Sequence, residues 1–243
     1  MAGYDTAGEI QNTYQSAYDE FGEDPGYWIR YFSPSPAADV FNGDPTAECE
    51  GAWASGGHFV GCISAPDQSD LDGSSGTGQL DAQTFAAAML SAYNTVGPLD
   101  LPSNSELWAF LDQEYNTSLS TSYWNAWANY IGNYNFAGLG TYPLFPALYC
   151  TPDSPWPNCS TIAAATGIDI PITVWSAVPE PCGTLKDQPS FDPEECSTYT
   201  SSKVPSHLWQ FGEQGVCGYS ANVDLDLANV TFADYCFRIL SDP

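Results

Sequence analysis

The tetrapeptide Leu111-Asp112-Gln113-Glu114 ends an apolar stretch and leads into a polar one. If the apolar stretch is a strand, residues i and i+2 face the same way, about 6.6 Å apart along the chain. Asp112 and Glu114 then project together from the strand's C-terminal end. Two carboxyls held that close push one pKa upward and leave the other ionised, which gives a general acid beside a charged partner. Hydrolysis of a glycosidic bond needs such a pair. Standing alone, Asp-x-Glu equally describes a solvated acidic turn, so the surrounding elements decide its meaning.

Two more acids bear on that decision. Asp5 ends a first strand after Gly3-Tyr4, where its plain alternative is a cap for the helix that follows. Asp224, in Asn222-Val223-Asp224-Leu225-Asp226, stands just past the last predicted strand, where its alternative is an exposed turn. In a closed sheet the first and last strands are neighbours, and Asp5 and Asp224 meet at one rim. Arg30 lies mid-strand, where a charge needs a partner. A pocket carboxylate such as Asp5 or Asp112 is one candidate, and a surface mate is the other. Trp108, Trp175 and Trp209 sit in or beside strands. Trp209 is placed to stack on a sugar ring, with core packing as the alternative. Tyr31, Tyr142 and Tyr149 offer hydroxyls to a substrate. His58 and His207 show neither metal spacing nor a nucleophile partner, and both read as structural. No GxSxG elbow, phosphate loop or dinucleotide glycine pattern is present. No metal or cofactor is expected.

The elements that must hold these residues alternate. Strands are expected ending at Tyr4-Asp5 and over 27–32, 58–63, 107–112, 139–148 and 170–178, with 207–211 as the last. Helices are expected over 10–21, 81–96 and 120–134, the last capped by Ser120 or Thr121. Phe85, Met89, Leu90 and Tyr93 fall on one side of the second helix. The Gly/Ser-rich stretch 72–79 reads as a surface loop. Strands separated by helices imply a parallel sheet. At this length the closed form is an α/β barrel, irregular in its helix-poor second half. The expectation is one domain over residues 1–243, a single irregular (β/α) TIM-like barrel with disulfide-stapled loop insertions.

Composition bounds the compartment and the partners. The chain has 243 residues, of which 43% are hydrophobic and 14% aromatic, enough for a substantial core. No apolar run approaches the roughly 18 to 20 residues that span a bilayer. The N-terminus lacks a basic region and an apolar signal core. Eight cysteines, Cys49, Cys62, Cys150, Cys159, Cys182, Cys196, Cys217 and Cys236, contain no CxxC pair and argue for disulfides in a secreted protein. Their sequence order suggests the pairs 49–62, 150–159, 182–196 and 217–236. Structural zinc is the rival, with His58 and His207 its only further donors. Sequons at Asn116, Asn158 and Asn229 agree with export. The net charge of −26, with Arg30, Lys186, Lys203 and Arg238 the only basic residues, repels nucleic acid and anionic membranes. A neutral substrate, an extracellular setting and a monomer are expected.

Read in order, the chain resembles the family 25 glycoside hydrolases, the lysozymes that cleave peptidoglycan, and more closely the divergent secreted glycoside-hydrolase-like barrels related to them. The resemblance is carried by Gly3-Tyr4-Asp5, Trp28-Ile29-Arg30-Tyr31-Phe32, Leu111-Asp112-Gln113-Glu114, His207-Leu208-Trp209-Gln210-Phe211 and Val223-Asp224-Leu225-Asp226. It implies a barrel with Glu114 as general acid. Asp112 is the implied partner, steadying an intermediate formed by the substrate's own N-acetyl group. It also implies that Asp5 and Asp224 line the same pocket, and that Arg30, Tyr31, Trp209, Gln210, Tyr142 and Trp175 bind a polysaccharide. Three departures stand out. Asp226 replaces an Asn usual in that family. Cysteine-rich insertions occupy 39–62 and 150–196. A −26 surface is ill-suited to an anionic wall polymer. The alternative is a barrel that kept the pocket without turnover and now binds glycans or builds an extracellular assembly.

Overall fold

The computed structural model describes residues 2–6, 8–31, 45–54, 58–96, 107–113, 117–134, 144–150, 161–162, 173–177, 182–193 and 206–229. Eight strands hydrogen-bond in chain order into a closed ring: β1 (Ala2–Thr6), β2 (Tyr27–Tyr31), β3 (His58–Ser64), β4 (Leu107–Asp112), β5 (Leu144–Cys150), β6 (Thr173–Ala177), β7 (Ser206–Gly212) and β8 (Asp224–Ala228). The first seven run parallel. Strand β8 is antiparallel to both β7 and β1. The α/β class is as expected, but the ring is seven parallel strands joined by an antiparallel eighth, not the all-parallel ring of a TIM barrel. Strand β8 also corrects the expectation that 207–211 is the last strand.

Alternation along each strand sorts the core into two layers. Tyr27, Ile29, Trp108, Phe110, Ala147, Trp175, Leu208 and Ala228 pack together inside the ring. Their neighbours Tyr4, Trp28, Ala109, Leu111, Leu148, Val174, Trp209 and Leu225 face outward against the helices. Gly3 serves the inner layer by omission, since a Cβ there would sit 2.5 Å from the ring of Tyr27.

Among the described residues, the outside is covered by the helices α1 (Ile10–Phe21), α2 (Pro45–Ala54), α3 (Ser75–Val96) and α4 (Thr121–Asn133). Helix α1 buries Ile10, Thr13 and Ala17, and stops at Gly22 with φ of 70° in the left-handed region. Ser120 caps α4, its hydroxyl accepting from Tyr123 N at 3.0 Å and donating to Gly73 O at 2.7 Å. Helix α3 begins at Ser75, inside the stretch read as a Gly/Ser loop. Its Gly78 serves close packing, since a Cβ there would run into the carbonyl oxygen of Tyr123 on α4. Helix α2 occupies part of what reads as a cysteine-rich insertion.

The cysteine pairing also differs from expectation. Cys182 is bonded to Cys217, with Cα atoms 5.7 Å apart, so neither 182–196 nor 217–236 forms. Nearness in sequence does not decide which cysteines meet, since the observed partners stand 35 residues apart along the chain. Here Cys182 N donates to Phe211 O at 3.1 Å, which carries residue 182 alongside the end of β7. Tyr219 completes the clasp, its hydroxyl accepting from Gly183 N and donating to Gly183 O. Cys49 lies on α2, Cys62 on β3 and Cys150 at the end of β5. Cys159, Cys196 and Cys236, and with them the pairs 49–62 and 150–159, lie outside what the structure describes.

Candidate active site

Because seven strands are parallel, their C-terminal ends gather at one mouth of the ring. Asp5 is the penultimate residue of β1, Tyr31 the last of β2, Asp112 the last of β4, and Tyr149 the penultimate residue of β5. The antiparallel β8 starts at that same mouth with Asp224, whose Cα pairs directly with that of Asp5. Asp224 is thus the first residue of a strand, not part of a turn. Two residues further along, and one pleat deeper, Asp226 pairs with Gly3 on one side and Gln210 on the other. Asp5 is 2% exposed, Asp112 3% and Asp226 fully buried, while Asp224 is half-buried.

Gln210 ties the acids together. Its side-chain amide nitrogen donates to Asp224 Oδ2 at 3.0 Å and to Asp5 Oδ2 at 3.4 Å. Its carbonyl oxygen accepts from the Tyr149 hydroxyl at 2.8 Å, which fixes which end of the amide faces the carboxyls. Asp224 Oδ1 also accepts from Gln214 N at 2.6 Å, at the first turn of a short helical segment. Deeper in, Trp175 Nε1 donates to Asp226 Oδ1 at 3.0 Å. The Trp175 ring is itself set edge-on against Tyr149 and Phe110, at centroid distances of 4.7 and 5.5 Å.

This setting perturbs the acids strongly. Burial first, then the charges of Asp226 and Asp224, with a further push from Asp112, hold the Asp5 carboxyl well above the usual carboxylate range. Burial likewise holds Asp226 well above that range, opposed by its bonds from Asp5 and Trp175. Tyr27, below them, is kept a neutral phenol by burial and by both carboxyls. Asp5, Asp112, Asp224 and Asp226 thus face the interior of the ring from three strands. Among the described residues, no group of three or more His, Cys, Asp or Glu side chains is arranged to hold a metal ion.

The chain that leaves β4 is anchored on both sides of residues 114–116. Gln113 N donates to Tyr149 O at 3.1 Å and Gln113 Nε2 to Thr117 O at 2.8 Å. The Thr117 hydroxyl donates to Gln68 Oε1, and Gln68 Nε2 donates to Asp112 O at 3.1 Å. Glu114, Asn116, Tyr142 and Asn158 lie outside the described residues. Asn229 directly follows β8 and is half-buried.

Two expected binding residues sit elsewhere. Arg30 is fully buried on the outward side of β2. Its Nε and Nη2 bond Glu48 of α2 at 3.1 and 2.9 Å, and its Nη1 donates to Thr6 O at 2.7 Å. Its partner is therefore neither Asp5 nor Asp112. Trp209 alternates with Leu208 and Gln210 and so points out of the ring, against Phe191 and Phe211. Tyr31, Gln210 and Trp175 do belong to the interior. The residues that sequence reasoning missed are Glu48 and, at the site itself, Asp226. The signal for Asp226 was the alternation Asp224-Leu225-Asp226-Leu227, a strand pattern with its acids facing inward.

No protein-family model matches the sequence, and no curated protein does. Solved structures match in fold. A crystal structure of an uncharacterized B. stearothermophilus protein aligns over 97% of this chain and 99% of its own, with 20% identity and a TM-score of 0.69. The Clostridium perfringens spore cortex lytic enzyme SleM aligns over 97% of this chain and 69% of its own, with 11% identity and a TM-score of 0.51. At these identities the likeness shows a shared fold.

Proposed function

We propose that the chain is a secreted glycoside hydrolase of lysozyme-like type, acting as a monomer on polysaccharides with β-linked N-acetylhexosamine. The observation that carries this reading is the group of carboxyls at the mouth of the ring, with Asp5, Asp112 and Asp224 at the ends of three strands and Asp226 one pleat deeper. A dry site that gathers acids and keeps some of them protonated is what acid-assisted cleavage of a neutral sugar bond requires. A spore cortex lytic enzyme with the same fold supports a glycan substrate. The Cys182–Cys217 bridge supports an oxidising, extracellular setting. No described helix is long and apolar enough to cross a membrane.

In this mechanism Glu114 gives its proton to the glycosidic oxygen as the bond to the anomeric carbon breaks. The acetamido carbonyl of the same sugar closes onto that carbon, and Asp112 steadies the positive charge on the acetamido group. Water then opens the ring intermediate, returning a proton to Glu114. Asp5 and Asp224, held by Gln210, orient the sugar or the water. Glu114→Gln and Asp112→Asn test these roles. Each should lower kcat by about 10²-fold or more while leaving the far-UV circular dichroism spectrum unchanged. Full activity in Glu114→Gln would overturn the assignment.

One observation favours a second reading, glycan binding without turnover. Asp5, Asp224 and Asp226 all receive hydrogen bonds from the protein's own side chains or backbone, as in a fixed binding framework. Calorimetric titration with chitin and muropeptide oligomers beside a turnover assay separates the two, since binding with no cleavage over a wide pH range belongs to the second reading alone.

A further inference from the structure

We propose that Asp226 is a positioning residue: one proton held between its carboxyl and that of Asp5 fixes Asp5 and Gln210, and loss of that proton sets the alkaline limit of the site. The catalytic consequence rests on the hydrolase reading above, whereas the shared proton rests on the burial of the two carboxyls and their placement on paired strands.

Asp226 is fully buried and faces the ring interior between Gly3 and Gln210. Its Oδ1 takes the Trp175 indole N–H. Its Oδ2 is equally buried and meets no N–H or O–H donor among the described residues. A buried carboxylate oxygen without a donor is costly, and two adjacent buried carboxylates without a proton between them repel. One proton on Asp5, donated to Asp226, answers both problems. Asp226 carries the charge because Trp175 and the backbone N–H of Asp5 favour its ionised form. Asp5 receives only the longer of the two Gln210 amide bonds.

Among the described residues, the groups around the pair offer no cation to replace that proton. Strand β8 adds Asp224 and β4 adds Asp112, both acidic. Strands β2 and β5 present the phenols of Tyr27 and Tyr149, and β6 and β7 present Trp175 and Gln210. Strand β3 contains no acid and no Lys or Arg, its titratable side chains being those of His58 and Cys62. Arg30 is turned outward to Glu48. When the shared proton leaves, two buried charges face each other. Asp5 must then move, and Gln210 with it. An Asn at 226 removes this dependence, because its carbonyl can accept from Trp175 while its amide donates to an ionised Asp5.

The test is a pH titration of the full chain labelled with ¹³C at the aspartate carboxyls, read by NMR, for wild type and Asp226→Asn. In the wild type, one carboxyl is expected to keep its proton at least about one pH unit above an ordinary aspartic acid, and that signal is expected to vanish in Asp226→Asn. Ordinary titration of every wild-type aspartate, or persistence of the signal in the variant, would overturn the proposal. Should Asp226→Asn fail to fold, Trp175→Phe replaces it. Loss of the indole donor is expected to raise the pH of the pair's first proton loss, and no change overturns the proposal. With an N-acetylhexosamine polymer as substrate, Asp226→Asn is expected to move the alkaline limb of the pH–rate profile up by about one unit or more. An unmoved limb counts against the positioning role. A wild type that cleaves no polymer defeats the hydrolase reading while the NMR result still decides the shared proton.

Discussion

The buried acids make stability depend on pH in a direction fixed by their raised proton affinity. The folded Asp5–Asp226 pair keeps one proton where unfolded aspartates, with pKa about 3.9, have lost theirs. The folded state then binds more protons than the unfolded one, so stability is fully present below that ordinary pKa and is lost as pH rises through the raised values. One retained proton corresponds to about 1.4 kcal/mol per pH unit. Urea midpoints measured from acid toward neutral pH should fall in the wild type and fall less in Asp226→Asn, and parallel slopes would contradict this. The Arg30–Glu48 pair obeys a different rule. It joins β2 to α2, and Glu48 Oε2 also accepts from Ile10 N at the start of α1. Glu48→Ala strands a buried guanidinium and should cost about 3 to 5 kcal/mol in chemical denaturation. The joint replacement of Arg30 and Glu48 by Met should cost less. At this scale the sequence showed Asp112 through its spacing to Glu114, and Asp5 and Asp224 through their places at the end of the first predicted strand and just past the last. It could not show that Arg30 belongs to Glu48, because the pairing depends on where α2 packs against the ring.

Among the elements, those whose hydrophobic pattern matches their packing were legible, and those shaped by a neighbour were not. Helix α1 was readable to the residue because its buried positions recur at helical spacing and Gly22 ends it. Strand β4 was readable as a continuous apolar run. The first turns of α3 were not, since Ser75, Gly76 and Gly78 suit a loop, and the approach of α4 explains Gly78 alone. Gly78→Ala should therefore destabilise the chain despite the better helix propensity of alanine, because the clash is with backbone and not with a movable side chain. Thermal melting reads this, and an unchanged or raised Tm would contradict it. Ser120→Ala removes the α4 cap and should cost about 1 kcal/mol, or about 2 to 4 °C for a chain of this size. Strand β8 reads as a polar turn because its inward side chains are acids, which a solvated loop would also contain.

On the scale of the whole molecule, the site exists because an antiparallel strand closes seven parallel ones. That closure sets Asp224 against Asp5 and lowers Asp226 into the interior. The Cys182–Cys217 bridge holds residues at the C-terminal end of β7, beside that closure. Replacing both cysteines by Ser should cost about 2 to 4 kcal/mol, as expected for a loop of this separation, with its effect read as a lower urea midpoint. The closed α/β architecture could be anticipated from alternating elements. The orientation of the last strand and the cysteine partners could not, because both depend on where the chain returns in space. The proposed function turns on whether the carboxyls at the mouth cleave a sugar polymer. The most direct measurement is the release of new reducing ends, followed by mass spectrometry, when the protein is incubated with chitin oligomers and with peptidoglycan from mildly acidic to neutral pH. The account predicts shorter N-acetylhexosamine products that disappear in Asp112→Asn. Intact polymer across that whole range, in the presence of the folded wild-type chain, would contradict it.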